Sequence, residues 1–147
     1  MAIARNGSGV VGELRALASQ IHPVFMLPPV AASWFGAVIA GIPVPWLGAI
    51  HAVAVFCAVY TAHVKDGYID FYYREEDDEH PLTRRGCRRA LGGAGIGFAC
   101  CLGALWVLVG PVAALLTLPG WLIGYHHAPQ LDTNPITATS ASAIPAG

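Results

Sequence analysis

Hydrophobic residues along this chain come in long runs, and the charged residues are gathered between two of them. Apolar runs cover residues 21–42, 46–64, 90–109 and 112–125. A helix needs about 20 predominantly apolar residues to cross a hydrocarbon core. The first three runs meet that length. The fourth meets it only if His126, His127 and Ala128 extend it or the bilayer thins locally. The pattern therefore predicts an all-α integral membrane bundle of about four transmembrane helices over residues 21–128. Pro28 and Pro29 fall inside the first run and predict a kink there. Trp46 opens the second run and is placed for a membrane interface. Gly92, Gly93, Gly95, Gly97 and Gly103 punctuate the third, and small residues let membrane helices approach closely. Gly110-Pro111 reads as a tight turn.

Outside the bundle, residues 1–20 read as a cytosolic lead-in, helical from Val10, with too many polar interruptions for a cleaved signal peptide. Residues 129–147 read as a polar tail, with Asp132 a candidate cap. The tail reads as neither a span nor a cap, so the chain is expected to be truncated or split.

Composition sharpens this picture. Only 12% of residues are charged, against roughly 25% in a soluble domain, which favours the membrane reading. Six of the eight Lys and Arg residues lie in the loop 65–89, together with seven of the nine acids. The remaining two basic residues, Arg5 and Arg15, precede the first run. Under the positive-inside rule both termini and the 65–89 loop are cytoplasmic, in a multi-pass protein of the cell membrane. An even number of spans agrees with that. No extended basic surface interleaves with aromatics, so nucleic acid is not an expected partner.

Cys57, Cys87, Cys100 and Cys101 have no metal-binding spacing and read as packing residues. His51 lies inside a span, where an ionisable side chain raises a functional question. A neutral ring bonded to a neighbouring helix answers it most simply. His63 and the pair His126-His127 read as interfacial. Tyr68, Phe71, Tyr72 and Tyr73 read as an interfacial aromatic belt.

The chemistry, if present, lies in the acidic loop. Asp66 and Asp70 are four residues apart and share a helix face. Asp77 falls two turns further on, so three carboxylates form one line if the helix persists. Like charges at this spacing repel, and either solvent or a divalent cation must offset them. Mg²⁺ takes oxygen ligands and is commonly held by one or two carboxylates plus substrate phosphates. Arg84, Arg85, Arg88 and Arg89 would add phosphate contacts.

The segment from Lys65-Asp66 through Asp70 and Asp77 to His80-Pro81-Leu82 resembles the first aspartate-rich region of the UbiA superfamily of intramembrane prenyltransferases. Lys65 stands where that family has Asn, and one extra residue separates Asp66 from Asp70. The stretch from Ile21-His22-Pro23 to Pro29 resembles the start of the family's first helix. Tyr125 to Leu131 resembles its tyrosine–proline–leucine element after helix four. The resemblance implies Mg²⁺-dependent transfer of a prenyl group from an allylic diphosphate to an acceptor. It assigns Asp66, Asp70 and Asp77 to the metal, and Lys65, Arg84 and Arg85 to the diphosphate. The family has about nine helices and a second aspartate-rich region. Asp132 is the only acid after Glu79 here, so a second chain or further region is expected to supply the rest. The alternative is a non-catalytic partner subunit derived from that fold. A CDP-alcohol phosphotransferase fits less well, because Asp66-Gly67 lacks the Ala-Arg pair that class requires.

Overall fold

Three helices of this protein begin with the same device. Pro23, Pro45 and Pro111 each stand in the first turn of a helix, where proline lacks only an N–H that would be unsatisfied anyway. A residue before proline is pushed out of the helical region. His22 (φ −103°, ψ 102°) and Val44 (φ −120°, ψ 98°) are accordingly extended. Gly110 takes φ 128°, a conformation that only glycine adopts easily.

The computed structural model describes residues 3–7, 9–41 and 44–131; the side chains of Pro129 and Leu131 are left aside. The helices are α1 (Gly9–Ala18), α2 (Pro23–Ile39), α3 (Pro45–Ile69), α4 (Arg84–Leu108) and α5 (Pro111–His126). A π-helical turn, Asp70–Arg74, extends α3, and another, His127–Leu131, follows α5 with a kink at Ala128. Ala128 precedes Pro129, so its extended backbone has the same cause as that of His22. No strand is present among the described residues beyond a single antiparallel bridge between Ala4 and Leu82. The all-α expectation holds.

Two helices are long and apolar enough to cross a membrane, α3 with its π-turn and α4. A third candidate exists if α1 and α2, bent by 69° across residues 19–22, count as one broken span. The four apolar runs do correspond to four helices. However, α2 has 17 residues and α5 has 16, both below the length that spans a bilayer untilted and unthinned. Pro28 and Pro29 both lie within α2, and a separate bend of 69° precedes that helix at residues 19–22.

Helix α3 is the centre of the bundle, packing on α2, α4 and α5. Near its middle, Ala54 and Ala58 are buried with Phe98 of α4, flanked by Leu118 and Trp121 of α5. Towards its charged end, Val64 is buried with Cys87 and Ala90 of α4, and with Ala4, Ala16 and Leu82. Close approach is concentrated at particular glycines. A Cβ on Gly124 of α5 would sit 2.8 Å from the carbonyl oxygen of Ala58, and one on Gly97 would sit 3.2 Å from Cys57 Sγ. Gly92, Gly93 and Gly103 face open space, so most of the glycine run of α4 does not serve helix contact within this chain. All four cysteines are free.

The lead-in forms a strap instead of hanging free. Arg5 N–H donates to Pro81 O at 2.9 Å and Thr83 N–H to Ile3 O at 2.9 Å. Thr83 also caps α4, its Oγ1 accepting from Gly86 N–H at 2.9 Å and donating to Ile3 O at 3.1 Å. Glu13 Oε1 accepts from Ile3 N–H. A Cβ on Gly86 would lie 2.2 Å from Ile3 O. Gly86→Ala is therefore expected to displace the strap and lower amide protection of Arg5 and Thr83 roughly tenfold, about one hydrogen bond's worth of local stability. Gly92→Ala, which meets nothing, should leave both amides unchanged in the same hydrogen-exchange measurement.

Candidate functional site

The candidate site is the end of α3, where an apolar helix becomes a charged one without interruption. Helix α3 persists past Gly67, so Asp66 and Asp70 lie one turn apart on one face. Each is partly buried, and the Asp66 carboxylate is near enough for its charge to act on Asp70. Asp70 pairs with Arg74 at 3.0 Å across the π-turn. The helix then stops. Glu75 takes a left-handed conformation (φ 58°) and its N–H closes back on Asp70 O.

That stop removes Asp77 from the predicted row. It lies three residues beyond the last helical residue, exposed, with its charge acting on His80. Glu76 comes closer instead: its N–H donates to Asp70 O at 3.0 Å, and its charge acts on Asp70. The expected loop 65–89 is correspondingly shorter, since α3 with its π-turn reaches Arg74 and α4 starts at Arg84.

The three basic residues assigned to a diphosphate are dispersed. Lys65 turns to α5, its amino group donating to Tyr125 O and lying 4.0 Å from the centre of the Tyr125 ring. Arg84 lies over Tyr72 at 4.8 Å and Tyr73 at 5.6 Å. Arg85 is exposed on the first turn of α4. Of the four belt aromatics, Tyr68, Phe71 and Tyr72 are partly buried. Tyr68 and Tyr72 pack on the buried cluster, Tyr72 Oη donates to Leu82 O at 2.9 Å, and only Tyr73 of the four is exposed.

Histidines border the site, and here the sequence reading was thin. The rings of His22, at the start of α2, and His63 of α3 meet edge to face at 4.4 Å. Asp66 acts electrostatically on His63 from three residues along. His80 is buried beneath the loop, against Gly67, whose Cβ would sit 3.1 Å from Nε2. Its Nδ1 accepts from Leu82 N–H at 3.1 Å, and Nε2 is buried with no hydrogen-bond partner among the described residues. His126 ends α5 and His127 opens the π-turn that follows it; Asp132 lies outside the described residues.

No family model, curated protein or solved structure matches this chain. The site therefore has to be read from its own chemistry. Two carboxylates supply hard oxygen donors of the kind Mg²⁺ takes when phosphates complete its shell. Among the described residues, no group of three His, Cys, Asp or Glu side chains is arranged to hold a metal by itself.

Burial pushes the His80 imidazole below its ordinary value of 6.5, with Arg5 acting the same way; the Leu82 carbonyl oxygen, 3.2 Å from Nδ1, and the Asp77 charge oppose it. The docked loop thus favours the neutral ring. An undocked loop takes up a proton near 6.5, and the docked one only at lower pH. Docking of residues 80–83 should weaken as pH falls from about 6.5 towards the depressed value, then level off. The protection factor of the Leu82 amide, the intrinsic exchange rate over the observed rate at each pH, should fall between pH 7.5 and 5, and His80→Asn should abolish that fall. An equal protection factor at both pH values in the unsubstituted protein would contradict it.

Proposed function

We propose that this membrane protein contributes the carboxylate half of a Mg²⁺–diphosphate site, used in prenyl transfer from an allylic diphosphate to an acceptor. The supporting observation is the placement of Asp66 and Asp70 on one face at the end of an apolar helix. The negative end of a helix dipole disfavours carboxylates there by about 0.3–1 kcal/mol each. Two neighbouring carboxylates add their mutual repulsion. Arrangements that lower stability in this way are commonly retained for function.

Mg²⁺, when bound with the substrate, would supply neutralisation of the departing diphosphate. Asp66 and Asp70 would hold the cation. Arg84 and Arg85, both exposed at the start of α4, would approach phosphate oxygens after Arg84 leaves its tyrosines. The apolar walls of the bundle would keep water from the electron-poor prenyl carbon. The cell membrane, with this end cytoplasmic, is the proposed location. A second aspartate-bearing region, on another chain or another segment, completes the reading.

A second reading has its own support. Asp70 is already neutralised by Arg74 and Lys65 is engaged with Tyr125, as expected of a non-catalytic partner subunit that keeps the helical scaffold. Binding separates the two. In membranes containing the full chain, Mg²⁺-dependent retention of radiolabelled farnesyl diphosphate should fall roughly ten- to hundredfold in Asp66→Asn and in Asp70→Asn. Asp78→Asn, an exposed acid beyond the helix, should leave it unchanged. Retention that ignores Mg²⁺ and both substitutions would remove the carboxylates from the chemistry and favour the partner reading.

A further inference from the structure

The other end of α3 holds a second candidate site. Helix α2 packs on α3 and on no other helix to a comparable extent. A cleft of about 640 Å³ therefore opens between α2 on one side and α4 and α5 on the other. Its floor is the small Gly48 and the ring of His51; Gly36 and Ser33 form one wall, Leu105 and Thr117 the other. Its volume falls in the range of roughly 300–1,000 Å³ usual for small-molecule sites. No Asp, Glu, Lys or Arg lines it.

One polar feature interrupts this apolar surface. Ser33 Oγ and His51 Nδ1 are hydrogen-bonded at 2.7 Å, joining α2 to α3. The Thr117 hydroxyl is already committed to Ala113 O of its own helix, at 2.8 Å. The Ser33–His51 pair is not saturated. If the hydroxyl donates to Nδ1, the neutral ring carries its proton on Nε2, and the serine oxygen still accepts. If the ring donates instead, Nε2 accepts and the hydroxyl donates. Either way the pair offers one free donor and one free acceptor. A ligand hydroxyl can complement either one, as donor or as acceptor, whereas an alkyl chain complements neither. Unmet polar capacity within an apolar span is costly, and an ionisable residue there marks a functional site more often than not.

We propose that this cleft binds a neutral amphiphile with an apolar body and one hydroxyl group, hydrogen-bonded to an open position of the Ser33–His51 pair. The absence of charged lining residues excludes a phosphate or carboxylate headgroup. The cleft is separate from the acidic end: His51 and Asp66 are 15 positions apart on α3, about 22 Å at the helical rise. The proposal does not depend on the diphosphate reading.

Gly36 provides a clean block. A Cβ there meets nothing within 4 Å, so Gly36→Leu starts from open space and extends an alkyl group into the cleft. The full chain in lipid nanodiscs would be photolabelled with a diazirine hexadecanol, with the matching diazirine alkane, and with a phosphatidylcholine carrying the diazirine on its acyl tail. The adducts would be mapped by peptide mass spectrometry. The alcohol should label the peptides around Gly36 and Leu105 several-fold more than either other probe. Gly36→Leu and His51→Phe should each remove that preference. Unlabelled farnesol and an alkylphenol, used as competitors, distinguish a chain alcohol from a ring alcohol, and displacement by at least one is required. Equal labelling by all three probes, an alcohol preference that survives either substitution, or no displacement by either competitor would overturn the proposal.

Discussion

The structure depends on one helix remaining continuous while its surroundings change from apolar to charged. Helix α3 has to bury alanines against α4 and α5 through its middle, then carry Lys65, Asp66 and Asp70 without a break. Such a helix can hold charge only at its end, where water or a partner is within reach. Everything else is arranged around that requirement. Helices α2, α4 and α5 lean on α3, and the loop to α4 folds back over its end through His80, Leu82 and the strap. Because the chain of contacts converges there, the carboxylates sit at a packed mouth. The neighbouring residues Glu75 to Glu79, by contrast, are exposed.

Electrostatics at that mouth is mostly settled locally. Arg74 reaches back one turn to Asp70. Lys65 crosses to Tyr125, and Arg5 and Arg84 lie over Phe71 and Tyr72 at 4.6 and 4.8 Å. Cations over aromatic faces contribute about 0.5–1 kcal/mol each when exposed, and they orient the loop. They also draw basic side chains away from the carboxylates. Asp70 keeps Arg74 as its cation, while Asp66 acts on it from one turn away. The same cations have to be displaced before an anionic substrate could use them, which separates this arrangement from a preformed anion site. At the opposite end of α3 the logic is reversed. No charge lines the cleft, and one serine–histidine pair joins the helices there.

Much of the architecture was legible in the chain. Long apolar runs gave the helices, because backbone groups in lipid must bond within a segment. The prolines that open α2, α3 and α5 were a sharper signal that the run boundaries did not use. Spacing alone placed Asp66 and Asp70 on a common face. Span number was less legible: α2 and α5 are cut short by the prolines and turns that begin them and by the bend at residues 19–22. Contacts between distant positions were not legible at all. Ile3 meets Thr83 across 80 residues, Lys65 meets Tyr125 across 60, and Ser33 meets His51 from a different helix. Periodicity carries no information about such pairs. The end of the helix at Arg74 was hidden for a related reason: it depends on the π-turn and on a left-handed Glu75, a conformation that glutamate does not signal. Asp77 was therefore placed on a helix that had already ended.

The central claim is that α3 crosses the membrane and delivers its carboxylates to one side. The most direct test is one of sidedness. In a chain carrying Cys57→Ala, Cys87→Ala, Cys100→Ala and Cys101→Ala, a single Trp46→Cys or Glu76→Cys would be exposed to a membrane-impermeant maleimide in sealed vesicles of known orientation. The account predicts labelling of position 76 from one side only and of position 46 from the other side only. Labelling of both from the same side would contradict it.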